Sequence, residues 1–365
     1  MDYWAKIMHI YFGLFLILIV LPFPARGQSP DVRPLSEATK DEPESSVSPQ
    51  EPKPEMERPT IWGEPTEVRI LIYIIDVDEV NSADQNFAAS VFVEARWNIP
   101  ALRHEGPGPL IKSWTEIWTP RLVIVNQQQG WRSFPETVEV NPDGEVVYRQ
   151  KTWGRFSQPF DLRDFPLDRQ KLTVHYAAAG LLETEVKMVP LIREAGRRSG
   201  IAERFSLPDF EVLSWRAVPM PYKPFAGEVG TSGFQMEIEV GRRLSYYIAK
   251  IIMPLCLIVV MSWVPLWTDP RQIGSNLAIS ATSFLTLVAY LFAMAVLLPR
   301  ASYLTRMDVF IILSTIMVFA CLLQTVAMTN MVGRGKDKLV RQLLQWSRVV
   351  YPIILLLVIA FSFWW

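Results

Sequence analysis

The chain has 365 residues, half of them hydrophobic, and its 36 basic residues are balanced by 37 acidic ones. This composition indicates membrane segments joined to a folded domain, and it argues against a basic surface that binds nucleic acid. The two cysteines and three scattered histidines form no CxxC pair and no histidine cluster, so we expect neither a metal ion nor another cofactor.

The N-terminus has the features of a secretory signal. Lys6 precedes an apolar run from Ile10 to Leu21, and small residues around Ala25 offer a cleavage site. We expect a signal peptide over residues 1–27, with an uncleaved membrane anchor as the alternative. Residues 28–60 are rich in Pro, Glu, Ser and Asp, which predicts a disordered acidic leader.

Residues 61–243 have the pattern of one β-rich extracellular domain. Val68 to Val77 is a β-branched run, Thr137 to Tyr148 contains two strands around a Pro-Asp-Gly turn, and Phe234 to Val240 alternates between apolar and polar residues. Short strands with turn-rich joints predict an Ig-like β-sandwich. Since both cysteines lie outside this region, the sandwich has to be stable without a disulfide.

Four apolar segments in residues 244–365 predict four membrane-spanning helices. They cover about 245–267, 275–298, 307–329 and 347–365. The linker 330–346 carries four basic residues against a single aspartate, which places it in the cytoplasm by the positive-inside rule. Four spans then put both chain ends outside, in agreement with the signal peptide. We therefore expect a multi-pass protein of the cell (inner) membrane.

The second apolar segment suits the lining of a pore. It carries no charge, and steps of three and four residues define a helical stripe that is small and polar at one end and bulky at the other. This pore stripe consists of Ala278, Thr282, Leu285, Ala289, Phe292 and Val296. In several copies around an axis, Leu285 and Phe292 would close the path by dewetting. The alternative is an ordinary membrane helix whose hydroxyls bond its own carbonyls and whose alanines pack against neighbours.

Local motifs in the two regions occur in an order known from one family. The stretch Phe160–Gln170 contains Phe165-Pro166-Leu167-Asp168-Arg169-Gln170, and Gln158 and Leu172 flank its outer part. Other matching segments are Trp97 with Leu102, Trp118-Thr119-Pro120 with Asn126, Arg242-Arg243 with Tyr247 and Pro254, Leu285–Tyr290, and Leu298-Pro299-Arg300. Residues 60–365 thus resemble the pentameric ligand-gated ion channels, the Cys-loop receptor superfamily. Because Gln158 and Leu172 stand where the family's loop cysteines would be, the chain resembles prokaryotic members.

This resemblance implies a homopentamer in the lipid bilayer, with a central pore that conducts small ions. The pore stripe would line this pore, with Leu285 at a mid-pore gate and Phe292 at an upper constriction. The residues implied in coupling the sandwich to the pore are Asp168, Arg242, Pro166, Pro299 and Arg300. An acid of the first turn, Glu79 or Asp84, would join the pair of Asp168 and Arg242. The alternative is a static salt bridge that only fixes the orientation of the sandwich.

The agonist pocket of the family lies between neighbouring sandwiches and is built from aromatic residues, which hold amines by cation–π attraction. The resemblance implies Phe92, Tyr148, Tyr222 and Phe225 as ligand-binding residues, although Phe92 would equally serve in plain packing. Val125 and Ala179 fall where relatives place an aromatic, which weakens the case for an amine. A small extracellular ligand of another kind and protons stay open, and proton sensing would rest mainly on carboxylates.

Ion selectivity in such pores usually comes from a ring of charge. Gly274, Ser275 and Asn276 supply no fixed charge at the inner mouth, and Asp269 and Arg271 just below nearly cancel. Cation-selective relatives carry a glutamate just before the position of Asn276, and anion-selective ones carry Pro-Ala-Arg there. Neither signature is present here, so this ring does not decide the selectivity, and the absence of the arginine favours cations.

Other functions are less consistent with the sequence. It contains no HExxH, GxSxG, GxxxxGK[ST] or strand-linked GxGxxG motif, so we do not expect an enzyme. A transporter is disfavoured because no charged residue lies in mid-membrane and no repeat relates the spans. The main alternative is a non-conducting membrane sensor with a β-sandwich head, which would not need the pore stripe.

Overall fold

A computed structural model describes most of the chain, and its described ranges are 57–59, 63–193, 196–225, 229–299 and 301–364. The expected signal peptide, nearly all of the expected leader and Arg300 lie outside these residues. Within them, the chain forms a β-sandwich followed by four helices, which confirms the predicted fold class.

The described residues of the sandwich contain twelve strands. They are β1 (Thr66–Asn81), β2 (Asn86–Asn98), β3 (Leu110–Ser113), β4 (Leu122–Ile124), β5 (Gln127–Arg132), β6 (Thr137–Val140), β7 (Glu145–Ser157), β8 (Arg169–Leu182), β9 (Val186–Pro190), β10 (Gly200–Ile201), β11 (Phe210–Pro219) and β12 (Thr231–Arg242). Apolar residues alternate with polar ones along the long strands, and this period of two sends one face of each strand into the core.

The strands form two sheets. The larger one has the order β10-β1-β2-β7-β6-β3, with β5 also paired to β7 and β9 to β1, and the smaller one has the order β11-β12-β8-β4. The core between the sheets includes the fully buried Trp97, whose ring meets Trp114 and Trp118 edge-on at 6.3 and 6.5 Å. Deleting a buried aromatic of this size typically costs about 3–5 kcal/mol of stability.

The predicted Pro-Asp-Gly hairpin joins β6 to β7. Gly144 has φ +85°, and a Cβ at this position would lie 2.7 Å from the carbonyl oxygen of Ile99. The turn therefore requires glycine for both its backbone conformation and its space. The hairpin fixes the register of β6 against β7, where Val140 is opposite Val146.

Four helices within the described residues are long and apolar enough to cross a membrane. They are α1 (Leu244–Leu266), α2 (Ile273–Leu297), α3 (Arg306–Gly333) and α4 (Asp337–Trp364). Helix α1 includes a π-helical turn at Ile248–Ile252, which ends two residues before Pro254. Because proline has no N–H to donate, such a local change of helical pitch accommodates it inside the span.

Buried polar side chains bond the helices to one another. The Ser280 hydroxyl of α2 donates to Thr325 Oγ1 of α3 at 3.1 Å, and the Tyr290 hydroxyl donates to the Ile251 carbonyl oxygen of α1 at 2.8 Å. Gln324 of α3 donates to the Ser347 hydroxyl of α4. Such bonds supplement close packing, which is the main source of helix association in a membrane.

The expected linker 330–346 was too long, because α3 continues to Gly333 and α4 already begins at Asp337. The fourth helix is therefore also longer than the expected segment 347–365. The physical reason is that the basic stretch is amphipathic. Val340, Leu344 and Ser347 are buried at helical spacing, so the charged residues between them occupy the exposed face of a helix.

Candidate functional site

The pore stripe lies on the exposed face of α2 in the single subunit. All six of its residues are exposed, and the exposed fraction is 68% for Leu285, 75% for Phe292 and 86% for Val296. The opposite face packs into the subunit through Asn276, Ser280, Ser283, Leu287 and Met294. The pore stripe thus lies on the part of α2 that does not pack within its own subunit.

The hydroxyls of α2 do not all point to the exposed face. Ser283 donates to the Ile279 carbonyl and Thr286 to the Thr282 carbonyl, both at 2.8 Å. These bonds within the helix are those of an ordinary membrane helix, as expected in the alternative interpretation.

Below the stripe, polar contacts fix the start of α2. Asn276 is buried, donates to the Asp269 carbonyl oxygen at 2.9 Å and accepts from the Thr268 hydroxyl. Arg271 pairs with Asp337 at the start of α4 at 3.0 Å. The amide of Asn276 is thus turned into the subunit, whereas Ser275 is exposed.

Asp168 and Arg242 meet in a two-point ion pair at the end of the sandwich next to the helices. Arg242 Nε donates to Asp168 Oδ1 at 2.8 Å, and Nη2 donates to Oδ2 at 3.0 Å. The side chains are only 1% and 6% exposed for Asp168 and Arg242, respectively. Paired hydrogen bonds of this kind are directional, and removing one partner would leave the other charge buried alone.

Aromatic rings surround the Arg242 guanidinium. Its carbon lies 4.4 Å from the ring centroid of Phe210, 4.9 Å from that of Phe165 and 5.7 Å from that of Tyr247. Burial by itself lowers the pKa of Arg242, but its hydrogen bonds and attraction to Asp168 outweigh burial and raise that pKa above its usual value. The side chain therefore stays charged, and the cation–π contacts compensate part of its desolvation.

The turn that follows β1 contacts Arg242 through a hydroxyl group and not through a carboxylate. Arg242 Nη2 donates to Ser82 Oγ at 3.2 Å. The two expected acids have other partners: Glu79 pairs with Arg155, and Asp84 accepts from the Asn81 amide. The expectation that Glu79 or Asp84 joins the pair was therefore wrong, because β1 and the turn after it direct both carboxylates elsewhere.

The loop around Asp168 also contacts the segment between α2 and α3 and the first turn of α3. The Leu162 N–H donates to the Tyr303 hydroxyl at 2.8 Å, and the Met307 N–H donates to the Phe165 carbonyl at 3.1 Å. An ion pair of 2.7 Å joins Arg306 to the exposed Asp164. We call this set of contacts the loop junction.

The two prolines expected in coupling are Pro166, in the loop around Asp168, and Pro299, in the segment that follows α2. Pro166 is buried and follows Phe165 through a cis peptide bond, while Pro299 is half-buried just after α2. Beyond Pro299, Thr305 caps α3: its hydroxyl accepts from the Asp308 N–H, and the Asp308 carboxylate accepts from the Thr305 N–H. Reciprocal bonds of this type hold the start of a helix. The sandwich loop therefore rests on a fixed helix start.

The aromatic residues expected to bind ligand lie in different environments. Phe92 is half-buried on the outer face of β2, with its ring 6.4 Å from that of Phe134 in an edge-on contact. Tyr148 points inward and is buried, with its ring 4.3 Å from that of Trp114. Tyr222 and Phe225 belong to the segment between β11 and β12, where Tyr222 bridges to Thr231 and Phe225 is exposed.

These four residues are divided between two sheets: Phe92 and Tyr148 lie on β2 and β7 of the larger sheet, and Tyr222 and Phe225 lie between β11 and β12 of the smaller one. The burial of Tyr148 raises the pKa of its hydroxyl and leaves it inside the sandwich of its own subunit.

A buried carboxylate lies two residues from Phe92 on the same face of β2. Glu94 bonds Arg96 at 2.7 Å and Arg149 at 3.0 Å, and Arg193 lies 3.5 Å away. Burial by itself raises the pKa of Glu94, but the hydrogen bonds and charges of Arg96 and Arg149 outweigh it and hold that pKa below its usual value. Sequence reasoning missed this cluster because its members come from separate parts of the chain.

Other functional contacts were also missed. Phe210, Ser82 and Tyr303 carry no family motif in the sequence, and only the fold brings them to Arg242 and to the loop junction. The pair of Arg306 and Asp164 could have been predicted from the sequence, because the two residues have opposite charges and each lies in or near a family motif. Within the described residues, no group of three or more His, Cys, Asp or Glu side chains is arranged to hold a metal ion.

The chain is similar to two family models that follow each other in order. The model described as neurotransmitter-gated ion-channel ligand binding domain matches residues 54–219, and that described as neurotransmitter-gated ion-channel transmembrane region matches residues 251–352. The first match covers most of the sandwich, including the Asp168 loop, and the second covers the pore stripe.

Similar proteins include receptor subunits and a bacterial channel. The chain is 24% identical to a gamma-aminobutyric acid receptor subunit beta of Caenorhabditis elegans, over 77% of this chain and 52% of that protein. It is 24% identical to the corresponding subunit of Lymnaea stagnalis, over 77% of this chain and 60% of that protein. The chain thus spans about half to three fifths of the length of these two subunits. It is 21% identical to a proton-gated ion channel of Gloeobacter violaceus, over 84% of this chain and 85% of that protein.

Proposed function

Because this chain belongs to the Cys-loop superfamily of pentameric ligand-gated ion channels, which are not enzymes, we propose that it assembles as a homopentamer and opens an ion pore in response to a signal at its sandwich. The pore is lined by the pore stripe of α2. The main support is that all six stripe residues are exposed in the single subunit, while the other face of α2 is packed.

The hydrophobic gate of this pore is formed by Leu285 and Phe292. Five copies of each side chain around an axis make two apolar rings, and a narrow apolar ring excludes water and ions without physical occlusion. Thr282 and Ala278 lie toward the inner mouth, where a smaller and partly polar surface permits hydrated ions to pass. The absence of a charged residue along the stripe supports a pore whose gate is hydrophobic.

Coupling runs through the pair of Asp168 and Arg242 and through the loop junction. Support comes from the position of Asp168, which shares one loop with Leu162 and Phe165, both bonded to the segment that follows α2. A displacement of the sandwich that moves this loop is transmitted to the end of the pore helix. The opening signal is a small extracellular ligand or protons, received at the face that carries Phe92 or at the segment that carries Tyr222 and Phe225.

We further propose that the pore prefers cations, since its inner mouth has no arginine and Arg271 is engaged by Asp337. The sandwich and both chain ends lie on the extracellular or periplasmic side of the inner membrane. This orientation is supported by the basic residues at the α3–α4 end of the bundle and by the expected signal peptide.

The experiment is a current measurement on the full chain in oocyte membranes or planar bilayers, with steps of pH, a panel of small amines and acids, and a salt gradient. We expect an evoked current whose activation is made easier by Leu285→Ala, because the gate then loses apolar surface. Leu287→Ala on the packed face is the matched control, and we expect it to lower surface expression without easing activation. The reversal potential in the gradient reports the selectivity.

A pentamer at the cell surface that stays silent in wild type and in Leu285→Ala under all conditions would contradict the channel proposal. It would favour the non-conducting sensor. An evoked current that Leu287→Ala changes in the same way as Leu285→Ala would leave the channel intact but contradict the assignment of the stripe.

A further inference from the structure

The pore helix is bonded to the rest of its subunit at two levels. Ser280, near its start, donates to Thr325 Oγ1 of α3 at 3.1 Å, and Tyr290 donates to the Ile251 carbonyl oxygen of α1 at 2.8 Å. Tyr290 follows Ser280 by ten residues, which places the two donors about 15 Å apart along α2 and about 80° apart around it. Both lie on the side of α2 that is opposite to the pore stripe, so the two bonds together limit the rotation and the tilt of this helix.

The acceptor of the Tyr290 hydroxyl lies in the π-helical turn of α1. In this turn the Met253 N–H donates to the Ile248 carbonyl oxygen, and Pro254, two residues beyond the turn, has no N–H to donate. Backbone groups that a proline frees in a membrane helix are satisfied by donors from neighbouring helices. Tyr290 supplies such a donor at Ile251, which is only 1% exposed, so no water replaces the hydroxyl there.

The first turn of α1 connects this acceptor to the sandwich. The Tyr247 hydroxyl accepts from the Arg242 guanidinium at 3.1 Å, and the Tyr247 ring meets that of Phe165 edge-on at 5.1 Å. The π-helical turn begins directly after Tyr247. A shift of the pair of Asp168 and Arg242 therefore moves the start of α1 and, with it, the carbonyl group that Tyr290 binds.

Along α2, Tyr290 lies between the two apolar rings of the proposed gate. It follows Leu285 by five residues, precedes Phe292 by two, and is half-buried. We propose that Tyr290 is a positioning residue of the gate, whose hydroxyl ties the side of the pore helix to α1 and transmits movement of α1 to Leu285 and Phe292. This inference rests on the proposed channel function. The loop junction acts at the end of α2, whereas this bond acts at its side, level with the gate.

The test is Tyr290→Phe in the full chain, expressed in oocytes, because this change removes the hydroxyl and keeps the ring. We expect the stimulus for half-maximal current to rise about two- to twelvefold, the range that the loss of one hydrogen bond provides. The half-maximal stimulus does not depend on the number of channels, so a variant with low surface density is still measured. 4-Aminophenylalanine, introduced at position 290 by nonsense suppression, keeps an N–H donor in the same place and should restore most of the wild-type activation.

Ser347→Ala is the matched control. It removes a buried hydroxyl that accepts from Gln324 between α3 and α4, and neither of these helices carries the pore stripe. We expect a lower unfolding temperature of the purified protein and an unchanged half-maximal stimulus.

Three results would overturn this inference while the wild type conducts. Unchanged activation in Tyr290→Phe would show that the hydroxyl does not position the gate. A 4-aminophenylalanine channel as impaired as Tyr290→Phe would assign the effect to packing of the ring, and an equal shift in Ser347→Ala would show a general loosening of the bundle. If Tyr290→Phe fails to assemble, assembly and activation restored by 4-aminophenylalanine would support the donor, and equal failure would overturn it. A wild type without evoked current would contradict the proposed function itself, and this inference with it.

Discussion

Asp168→Asn is the most informative single change, because it removes one charge and keeps the shape of the side chain. In the wild type, Arg242 is almost fully buried and makes two hydrogen bonds to Asp168, at 2.8 and 3.0 Å. The variant keeps one oxygen as an acceptor and turns the other acceptor into an NH2 group, so the guanidinium is left buried without a counter-charge, with that oxygen, the Ser82 hydroxyl, the Tyr247 hydroxyl and the aromatic rings as its partners. Breaking a buried pair in this way typically costs about 3–5 kcal/mol.

The phenotype depends on how much of this free-energy cost falls on the closed state of the channel and how much falls on the open state. If the pair is present in one state only, about 3–5 kcal/mol shifts the gating equilibrium roughly 100- to 4,000-fold. We expect such a shift toward the closed state, with evoked current lost or displaced to a far stronger stimulus while the pentamer still reaches the surface. The assay is the evoked current, corrected for surface protein by biotinylation.

Asp164→Asn is the matched control. It lies in the same loop and is paired with Arg306, but its side chain is 60% exposed, so we expect an effect of less than about 1 kcal/mol. In a double-mutant cycle with Arg242→Gln, most of the Asp168→Asn effect should appear as interaction energy between the two residues. Normal evoked current from Asp168→Asn at normal surface density would refute the reasoning, and the pair would then be a static support of the sandwich.

Three further changes test other parts of the structure. Glu94→Gln should lower the stability of the sandwich at neutral pH by about 2–4 kcal/mol. The pKa of folded Glu94 lies below its usual 4.5, so the difference in stability from wild type should shrink as pH falls through that lowered pKa. Thermal unfolding at several pH values measures this difference. Tyr303→Phe leaves the Leu162 N–H without its acceptor, at a cost of about 1–3 kcal/mol, and should shift the stimulus for half-maximal current about tenfold. Thr305→Ala, which removes half of the capping box with Asp308, should lower stability by about 1 kcal/mol, and its unfolding temperature measures this.

Opposite results would be equally clear for these three changes. An unchanged pH dependence in Glu94→Gln would mean that this carboxylate does not titrate with the fold. A Tyr303→Phe channel with wild-type activation would remove the hydroxyl from the coupling path, and Thr305→Ala with an unaltered unfolding temperature would show that the helix start is held by packing alone.

The sequence predicts the elements that rest on a single local period. The alternation in Phe234–Val240 is sufficient for β12, and the spacing of three and four residues from Ala278 is sufficient to find the exposed face of α2. The pairing of Asp168 with Arg242 was predicted from resemblance, since no local pattern joins residues so far apart in the chain. In the first two cases, a single local period determines the element.

Prediction was weaker where several features compete. The start of α4 at Asp337 was missed because basic residues were interpreted as a loop, although Val340, Leu344 and Ser347 mark a buried helical face. Ser82 replaced the expected acids as the partner of Arg242, because the direction of a side chain in a turn depends on the tertiary packing of the strands around it. Contacts such as that of Phe210 with Arg242 arise only when two strands are brought into register.

The distribution of thiols in this chain has a practical consequence. Its two cysteines, Cys256 and Cys321, lie in α1 and α3, and the buried Cys321 bonds the Ser262 carbonyl oxygen with its sulfur. The protein thus provides a low background for chemical labelling without prior removal of native cysteines. Single cysteines placed in turn along α2 can be probed with water-soluble methanethiosulfonate reagents, in resting and stimulated channels. The positions that react, and the state in which they react, would map the aqueous path one residue at a time.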